Sequence, residues 1–503
     1  MEESRGLRIA KNTVFLYGRM LLSMVVTLYT SRVVLNVLGA SDYGIYNVVT
    51  GFVVSFGFLS SAMHASVQRF LTVEMKENNQ KKLNQIFSMG VSIHLILALV
   101  MIVIAEPVGL YFIKNKLVIP PDRIEAAVWV FHLSIIVLFF GIMNVPYKAL
   151  IIARENMGAF AAISLIEVFS KLIIAIILVY SIIDRLILYG LLLMIVAVII
   201  QLFYMWYCIT RFTEGKFKKF WDRKLFHDMS SFAGWNLIGV FAGIVYNQGV
   251  NIVLNIFGGP IINAARAIAF QVSGAANQLV TNFQLAANPP IMKAYATKDQ
   301  SVFGLLLSSS KLSYVLLLFI AIPFILECPY ILQLWLKEVP DNSIIFTRLA
   351  IVDILVCSLA GPLHTLIQAT GSIKKYQIVV SGVILMNLPL SYVMLKMEAN
   401  FSSTFYISII LSFIALIIRY VILRSYINYS AKELLLRFVK PIVILTILSA
   451  IVPVLIYNCS EQSYIRLFII CISSWGSIVI VSWMCVLDIN EKSLFLRIIK
   501  REK

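Results

Sequence analysis

The sequence predicts an all-α polytopic membrane protein of about fourteen transmembrane helices, built as two parallel-repeat six-helix bundles plus a C-terminal helix pair. Of its 503 residues, 60% are hydrophobic and only 13% are charged, whereas about a quarter of the residues of a soluble protein are charged. The apolar residues come in runs of about 20 or more, the length that crosses the hydrocarbon core of a bilayer. A six-residue pattern that begins at position 34 also returns at position 253, which indicates an internal duplication.

The lengths of the apolar runs define the individual spans. In chain order they cover roughly 12–38, 44–66, 85–113, 125–146, 158–182, 186–210, 230–257, 261–289, 304–327, 343–369, 376–395, 403–423, 439–457 and 464–487. Grouping them predicts five segments along the chain. These are an N-terminal six-helix bundle at 1–210, a basic amphipathic cytoplasmic linker at 211–229, a C-terminal six-helix bundle at 230–425, an additional helix pair at 436–490 and a basic cytoplasmic tail at 491–503.

The basic residues are distributed unequally between the two sides of these spans. Of 42 Lys and Arg residues, 28 lie at one set of span ends, 7 at the other set and 7 inside the spans. Cytoplasmic loops of membrane proteins carry an excess of Lys and Arg, so the richer ends and both termini are predicted to be cytoplasmic. The same asymmetry accounts for the net charge of +17 without a nucleic acid as partner.

The linker at 211–229, RFTEGKFKKFWDRKLFHDM, interleaves aromatic and leucine side chains with six basic residues. This pattern predicts a helix that lies on the cytoplasmic leaflet and is attracted by anionic membrane lipids.

The repeated pattern reads VLNVLG at 34–39 and VLNIFG at 253–258, 219 residues apart. Each copy lies at the outer end of the first span of a bundle and precedes a tight turn and a polar-rich second span. Because six spans separate the copies, the two halves have the same orientation, which is a common plan among transporters.

The stretch LGASDYGIY, from Leu38 to Tyr46, follows an arginine-bearing first span and resembles the polysaccharide-transporter (O-antigen flippase) family. That family shares a superfamily with the multidrug and toxin extrusion (MATE) carriers and the lipid II flippases. The resemblance covers the whole chain in span count, twofold plan and extra C-terminal pair. Family members often carry Pro where this sequence has Ala40.

The resemblance implies a flippase of the bacterial inner membrane. Its substrate would be an undecaprenyl-diphosphate-linked oligosaccharide, a repeat unit of O-antigen, capsule or exopolysaccharide, moved from the cytoplasmic to the outer leaflet. It also implies a central cavity between the halves, rocking between inward-open and outward-open forms, and the polysaccharide polymerase machinery as a further partner. No cofactor or metal is expected, apart from H⁺ or Na⁺ as a coupling ion.

Three arginines inside the spans, Arg19, Arg32 and Arg266, are candidates for binding the diphosphate. A charged residue at the bilayer centre costs at least about 2.5–3.5 kcal/mol, so such residues tend to face protein or water. A guanidinium fork suits a phosphate group. For Arg19 and Arg32, snorkelling to the interface or packing is the alternative interpretation.

Polar side chains recur along the seventh and eighth spans and predict a wet cavity wall that binds sugar hydroxyls. The alternative is that these amides hold neighbouring helices together. The candidate substrate-binding residues are Asn247, Asn251, Asn255, Ser273, Asn277, Gln284 and Asn288.

Three further residues inside the spans, Glu167, Lys171 and Asp353, are candidates for coupling transport to an ion. Glu167 and Lys171 are four residues apart in the fifth span, and a structural ion pair is the alternative interpretation. Asp353 precedes a predicted helix break at Gly361-Pro362 in the tenth span.

Two other functions remain open. A MATE-type multidrug or cation antiporter should carry cavity carboxylates, but the basic residues inside the spans outnumber the acidic ones, which favours an anionic substrate. A membrane glycosyltransferase or polymerase should carry acidic residues in a large outer loop, and no predicted outer loop exceeds about 15 residues. The sequence therefore favours a transporter over an enzyme.

Overall fold

The computed structural model describes residues 2–77, 79–154, 156–297, 302–370, 374–487 and 492. Within these ranges the chain forms helices joined by turns and short connecting segments, without strands, which confirms the all-α class. The predicted tail at 491–503, apart from Lys492, lies outside the described residues.

Seventeen α-helices are assigned in the described part of the chain. They are α1 (Glu2–Ser55), α2 (Phe58–Glu77), α3 (Gln80–Asn115), α4 (Ile124–Ala153), α5 (Met157–Tyr180), α6 (Arg185–Arg211), α7 (Arg223–Ile244), α8 (Val250–Ala296), α9 (Val302–Trp335), α10 (Ser343–Ser358), α11 (Gly361–Ala369), α12 (Lys374–Leu385), α13 (Asn387–Lys396), α14 (Ser403–Leu423), α15 (Ala431–Leu434), α16 (Lys440–Cys459) and α17 (Tyr464–Val481). The break between α10 and α11 confirms the one predicted at Gly361-Pro362.

Twelve helical segments in the described residues are long and apolar enough to cross a membrane. Two of them, Leu22–Ser55 and Phe241–Gln284, contain the junction between two predicted spans. The predicted count of fourteen is therefore not confirmed, because this count treats each joined pair as one segment.

A single glycine breaks each of these two joined segments. Gly39 has φ 76° and ψ 167°, and Gly259 has φ 72° and ψ −174°, a backbone region that is essentially restricted to glycine. The repeated sequence pattern aligns Gly39 with Gly258, but the break falls one residue later. Pro260 explains the shift, because a proline disfavours the helical conformation for the residue before it. A glycine in the same local conformation thus ends the first copy of the pattern and directly follows the second copy.

The chain forms two compact units, Met1–Ala264 and Ala265–Lys503. The first unit has buried clusters around Phe87 and Phe131, and the second has one around Leu317. The division falls within α8 and does not test the predicted boundaries of the six-helix bundles, which stay a prediction.

The linker differs from the predicted amphipathic helix. Residues 216–222 are irregular, and α7 begins only at Arg223, with the Asp222 side chain accepting a hydrogen bond from the Leu225 N–H. Side chains of α3 explain the difference, because Asn84 donates hydrogen bonds to the carbonyl oxygens of Glu214 and Lys216. Glu214 lies in a short 3-10 helix, Thr213–Gly215, and Lys216 lies in the irregular segment that follows.

In the second unit, a buried ion pair connects the C-terminal helix pair, α16 and α17, to α9. Arg466 donates from Nε to Glu327 Oε1 at 2.6 Å and from Nη2 to Glu327 Oε2 at 2.9 Å. The two side chains are 9% and 1% exposed, and the guanidinium carbon also lies 4.7 Å from the centre of the Tyr457 ring. The pair anchors α17 beside the kink of α9 at Glu327.

Candidate functional site

A cavity of about 710 Å³ lies within the first unit. Its wall is formed by the second half of α1 and by α2, α4, α5 and α6, with Ile244 from α7. Most of the lining is apolar, and a small group of polar and charged side chains interrupts it. An apolar cavity with a few convergent polar groups is the usual form of a ligand site.

Three charged side chains line this cavity. Lys171 Nζ of α5 donates to Glu167 Oε1 at 2.8 Å, one turn earlier on the same helix. Lys148 of α4 lies with its Nζ 5.2 Å from the centre of the Tyr204 ring and interacts electrostatically with both members of the pair. Two lysines against one carboxylate give the group a formal charge of +1.

Two uncharged polar side chains extend the group. His64 of α2 lines the same cavity, and so does Asn144, one turn before Lys148 on α4. Asn144 is 4% exposed, and its Oδ1 has no hydrogen-bond partner among the described residues. Buried amide oxygens are normally satisfied, so the wall of the cavity contains a buried acceptor without a protein partner among the described residues. The cavity can therefore hold an anion beside a neutral polar group.

Lys148 is not among the site residues predicted from the sequence, because the fourth span was expected to end at 146. Helix α4 instead continues through Pro146 to Ala153 and carries Lys148 into the membrane-spanning segment. A helical signal was available, because Ser134, Gly141, Asn144 and Lys148 recur at spacings that place them on one face.

Of the two predicted arginines of α1, the structure describes the side chain of Arg32. The side chain of Arg19 lies outside the described residues. Arg32 is half-buried, and among the described residues no hydrogen bond or ion pair involves it. Arg32 is not among the cavity-lining residues, and its role as a substrate-binding residue stays a prediction.

The predicted asparagines of the seventh span form two separate groups. Asn247 lies in a π-helical turn, Val245–Gly249, and donates from Nδ2 to the Gly243 carbonyl oxygen at 3.0 Å. Asn251 and Asn255 are buried and both bond to Asn263, which follows the break at Gly259.

Asn263 is the centre of this amide network. It donates from Nδ2 to Asn251 Oδ1 at 2.9 Å and accepts from Asn255 Nδ2 at 2.8 Å. The Val118 N–H donates in turn to Asn255 Oδ1 at 2.8 Å. These bonds join the two halves of the broken helix to each other and to the segment after α3, which is the helix-packing role that the sequence left open.

The predicted residues of the eighth span lie in the second unit and contact several helices. Arg266 is buried, with its guanidinium carbon 4.2 Å from the Phe270 ring centre and 5.6 Å from that of Phe405 on α14. Gln284 donates from Nε2 to Ser313 Oγ and to the Ser358 carbonyl oxygen, both at 3.1 Å.

The other three residues of that predicted face are less connected. The Ser273 hydroxyl bonds only within its own helix, to the Phe270 carbonyl oxygen. Asn277 is half-buried, and the buried Oδ1 of Asn288 has no hydrogen-bond partner among the described residues. The five residues are thus not brought together into one site by these contacts.

Asp353 of α10 is bound by two hydroxyl groups of α14. Ser408 Oγ donates to Asp353 Oδ2 at 2.8 Å, and Ser412 Oγ donates to Oδ1 at 2.7 Å. These two bonds connect α10 to α14 through a carboxylate that lies within a candidate membrane span.

Comparison with known proteins agrees with this architecture. Residues 9–295 match the model of a family described as polysaccharide biosynthesis protein. No curated protein matches the chain.

Several solved transporters share the fold. The structure of the lipid II flippase MurJ in an inward closed conformation is 12% identical, with a TM-score of 0.69, covering 94% of this chain and 98% of its own. An inward-facing MATE-family multidrug resistance transporter of the MOP superfamily is 13% identical, with a TM-score of 0.68, covering 80% of this chain and 94% of its own. An outward-facing MATE structure gives a TM-score of 0.61 at 13% identity, over 82% and 95% of the two chains.

At these identities the structural likeness shows the fold alone, which is that of the MATE and MurJ transporters. The family match is independent of it and spans more than half of the sequence. It confirms the resemblance carried by the stretch from Leu38 to Tyr46. The chain is a multi-pass membrane protein that belongs to the polysaccharide biosynthesis protein family.

Proposed function

We propose that this protein flips an undecaprenyl-diphosphate-linked oligosaccharide from the cytoplasmic to the outer leaflet of the bacterial inner membrane by ion-coupled alternating access. The observation that carries the proposal is the cavity in the first unit, where Lys148 and Lys171 outnumber Glu167. A diphosphate is an anion, so a cavity with a formal charge of +1 attracts it. Family membership and the flippase fold of MurJ support the same class of transport.

The role that we assign to each side chain of the cavity follows from its chemistry. The lysines attract the diphosphate, while Asn144 supplies a neutral polar contact for a sugar or phosphate oxygen. The apolar wall formed by residues such as Val53 and Leu138 suits the start of the polyprenyl chain. Polymerase machinery that accepts the flipped unit would be the downstream partner, and both termini would face the cytoplasm.

Glu167 and Asp353 are the proposed coupling groups, because both are carboxylates in membrane-spanning helices with polar partners. Proton or Na⁺ binding at Glu167 would release Lys171 for the diphosphate. In the Glu167→Gln variant, the rate of flipping should therefore depend less on pH or on Na⁺ concentration. An unchanged dependence would show that Glu167 has only a structural role.

The test is flipping of a fluorescent undecaprenyl-diphosphate oligosaccharide in proteoliposomes, by wild type and Lys148→Gln. A charge-assisted contact contributes about 1.5–3 kcal/mol, and 1.4 kcal/mol is a factor of ten, so Lys148→Gln should slow flipping roughly tenfold or more. Lys396→Gln, at the exposed end of α13, removes the same charge outside the cavity and should flip at the wild-type rate. Equal rates for wild type and Lys148→Gln would contradict the proposal.

The second candidate function, a MATE-type cation antiporter, is favoured by one observation, the Glu167 carboxylate in the cavity wall. It predicts export of a lipophilic cation such as ethidium that Glu167→Gln abolishes and Lys148→Gln leaves intact or accelerates. The same two variants therefore separate the two functions.

A further inference from the structure

The linker between α6 and α7 is held against α3 by hydrogen bonds. Asn84 Nδ2 donates to the carbonyl oxygens of Glu214 at 3.0 Å and Lys216 at 2.7 Å, and the Lys218 N–H donates to Ser88 Oγ at 3.1 Å. Glu214 is buried and accepts from Arg154 Nε at 2.6 Å. The backbone around Lys218 is thus held in place by α3 and the end of α4.

This fixed backbone divides the apolar side chains of the linker into two sets. The inward set packs against the core of the first unit and consists of Phe212, Phe220 and Leu225. The outward set, which we call the aromatic patch, consists of Phe217, Trp221 and Phe226, which are 50%, 54% and 36% exposed. The rings of Trp221 and Phe226 stack with centres 5.2 Å apart.

Six exposed basic side chains surround the aromatic patch: Arg211, Lys216, Lys218, Lys219, Arg223 and Lys224. In the part of the chain that the structure describes, none of the six forms an ion pair. The same linker carries three acidic residues: Glu214 is buried against Arg154, Asp222 caps α7, and Asp228 is exposed. The surface is therefore strongly cationic and carries aromatic rings at its centre.

We infer that this surface binds the headgroups of anionic phospholipids in the leaflet at that end of the molecule. Basic side chains gather anionic lipid by electrostatic attraction. Aromatic side chains prefer the depth of the lipid headgroups, where the face of the ring is buried and the edge of the ring stays near water. A soluble anion would use the lysines but would leave Phe217 and Trp221 exposed. The inference is independent of what the transporter carries.

The binding can be measured on the full-length chain in neutral detergent, with dansyl-labelled phosphatidylglycerol or phosphatidylcholine as probes and energy transfer from tryptophan as signal. Lys218→Gln/Lys219→Gln should weaken phosphatidylglycerol binding roughly tenfold, because each basic residue near an anionic surface contributes to the attraction. Binding of phosphatidylcholine should not change. Raising the salt concentration should weaken the wild type more than the double variant, because screening acts on the lysines.

Lys114→Gln/Lys116→Gln is the matched control, since it removes two exposed lysines at the other end of α3. This pair should bind phosphatidylglycerol like the wild type. Phe217→Ser should also weaken binding, and the loss should persist at high salt. The inference is overturned if the linker variant binds like the wild type, if the control pair loses as much, or if Phe217→Ser has no effect.

Discussion

Removing the charge of Glu327 should destabilise the protein more than almost any other single substitution of a carboxylate. Glu327→Gln keeps the size of the side chain but leaves the Arg466 guanidinium, 9% exposed, without its carboxylate. Two charge-assisted hydrogen bonds, at 2.6 and 2.9 Å, weaken together. Breaking a buried pair by removing one partner costs about 3–5 kcal/mol, because a buried charge is left uncompensated. The contacts of Arg466 with Ser460 and Tyr457 remain and only partly offset this cost.

The chain offers a matched control of the same chemistry. Arg437 donates to Glu433 at 3.0 Å, but these side chains are 46% and 37% exposed. An exposed pair of this spacing contributes about 0.3–0.5 kcal/mol, so Glu433→Gln should have a small effect. The free energy of unfolding of each variant can be measured by titrating detergent-solubilised protein with sodium dodecyl sulfate. Similar losses for the two variants would refute the argument from burial.

Two further predictions concern the first unit. Gly39→Ala should lower the free energy of unfolding by about 1–3 kcal/mol through backbone strain alone, since no atom lies near the added methyl group. Gly18→Ala, equally uncrowded but helical, should be neutral or stabilising, and equal losses would contradict the strain argument. Burial raises the pKa of Glu214, yet hydrogen bonds from its own backbone N–H, Gln80 and Arg154 hold it below its usual 4.5. Stability from this group is thus present above pH 4.5 and lost as the pH falls below it. Arg154→Gln should shrink the gap between unfolding temperatures at about pH 7 and about pH 4, and an unchanged gap would show that the pair does not set it.

The sequence predicted those features that depend on local composition. Apolar runs identified most of the helices, and Gly361-Pro362 located a break between two of them. The tight turn predicted after the second copy of the repeat, between spans ending at 257 and beginning at 261, contains the break at Gly259. The helical class and the family were predicted, whereas the number of spans was not confirmed.

Contacts between distant residues could not be predicted in this way. Glu327 and Arg466 are 139 positions apart, and nothing in either local pattern links them. The pair at Glu167 and Lys171 was visible because the partners lie one helical turn apart. Lys148 was missed because the fourth span was expected to end at 146, although α4 continues to Ala153. Spatial grouping of charges depends on which faces pack together, and one sequence does not contain that information.

The asparagine network around the break at Gly259 bears on how the chain enters the bilayer during synthesis. Asn263 bonds to partners only 8 and 12 residues away, so the asparagine network lies within one stretch of α8, residues 251–263. An amide in hydrocarbon without a partner is costly, but here each asparagine finds one within the same stretch. The residues on the two sides of the break can therefore leave the translocation channel together with these amides already paired. This polar segment can therefore enter the lipid bilayer before the later helices have been inserted.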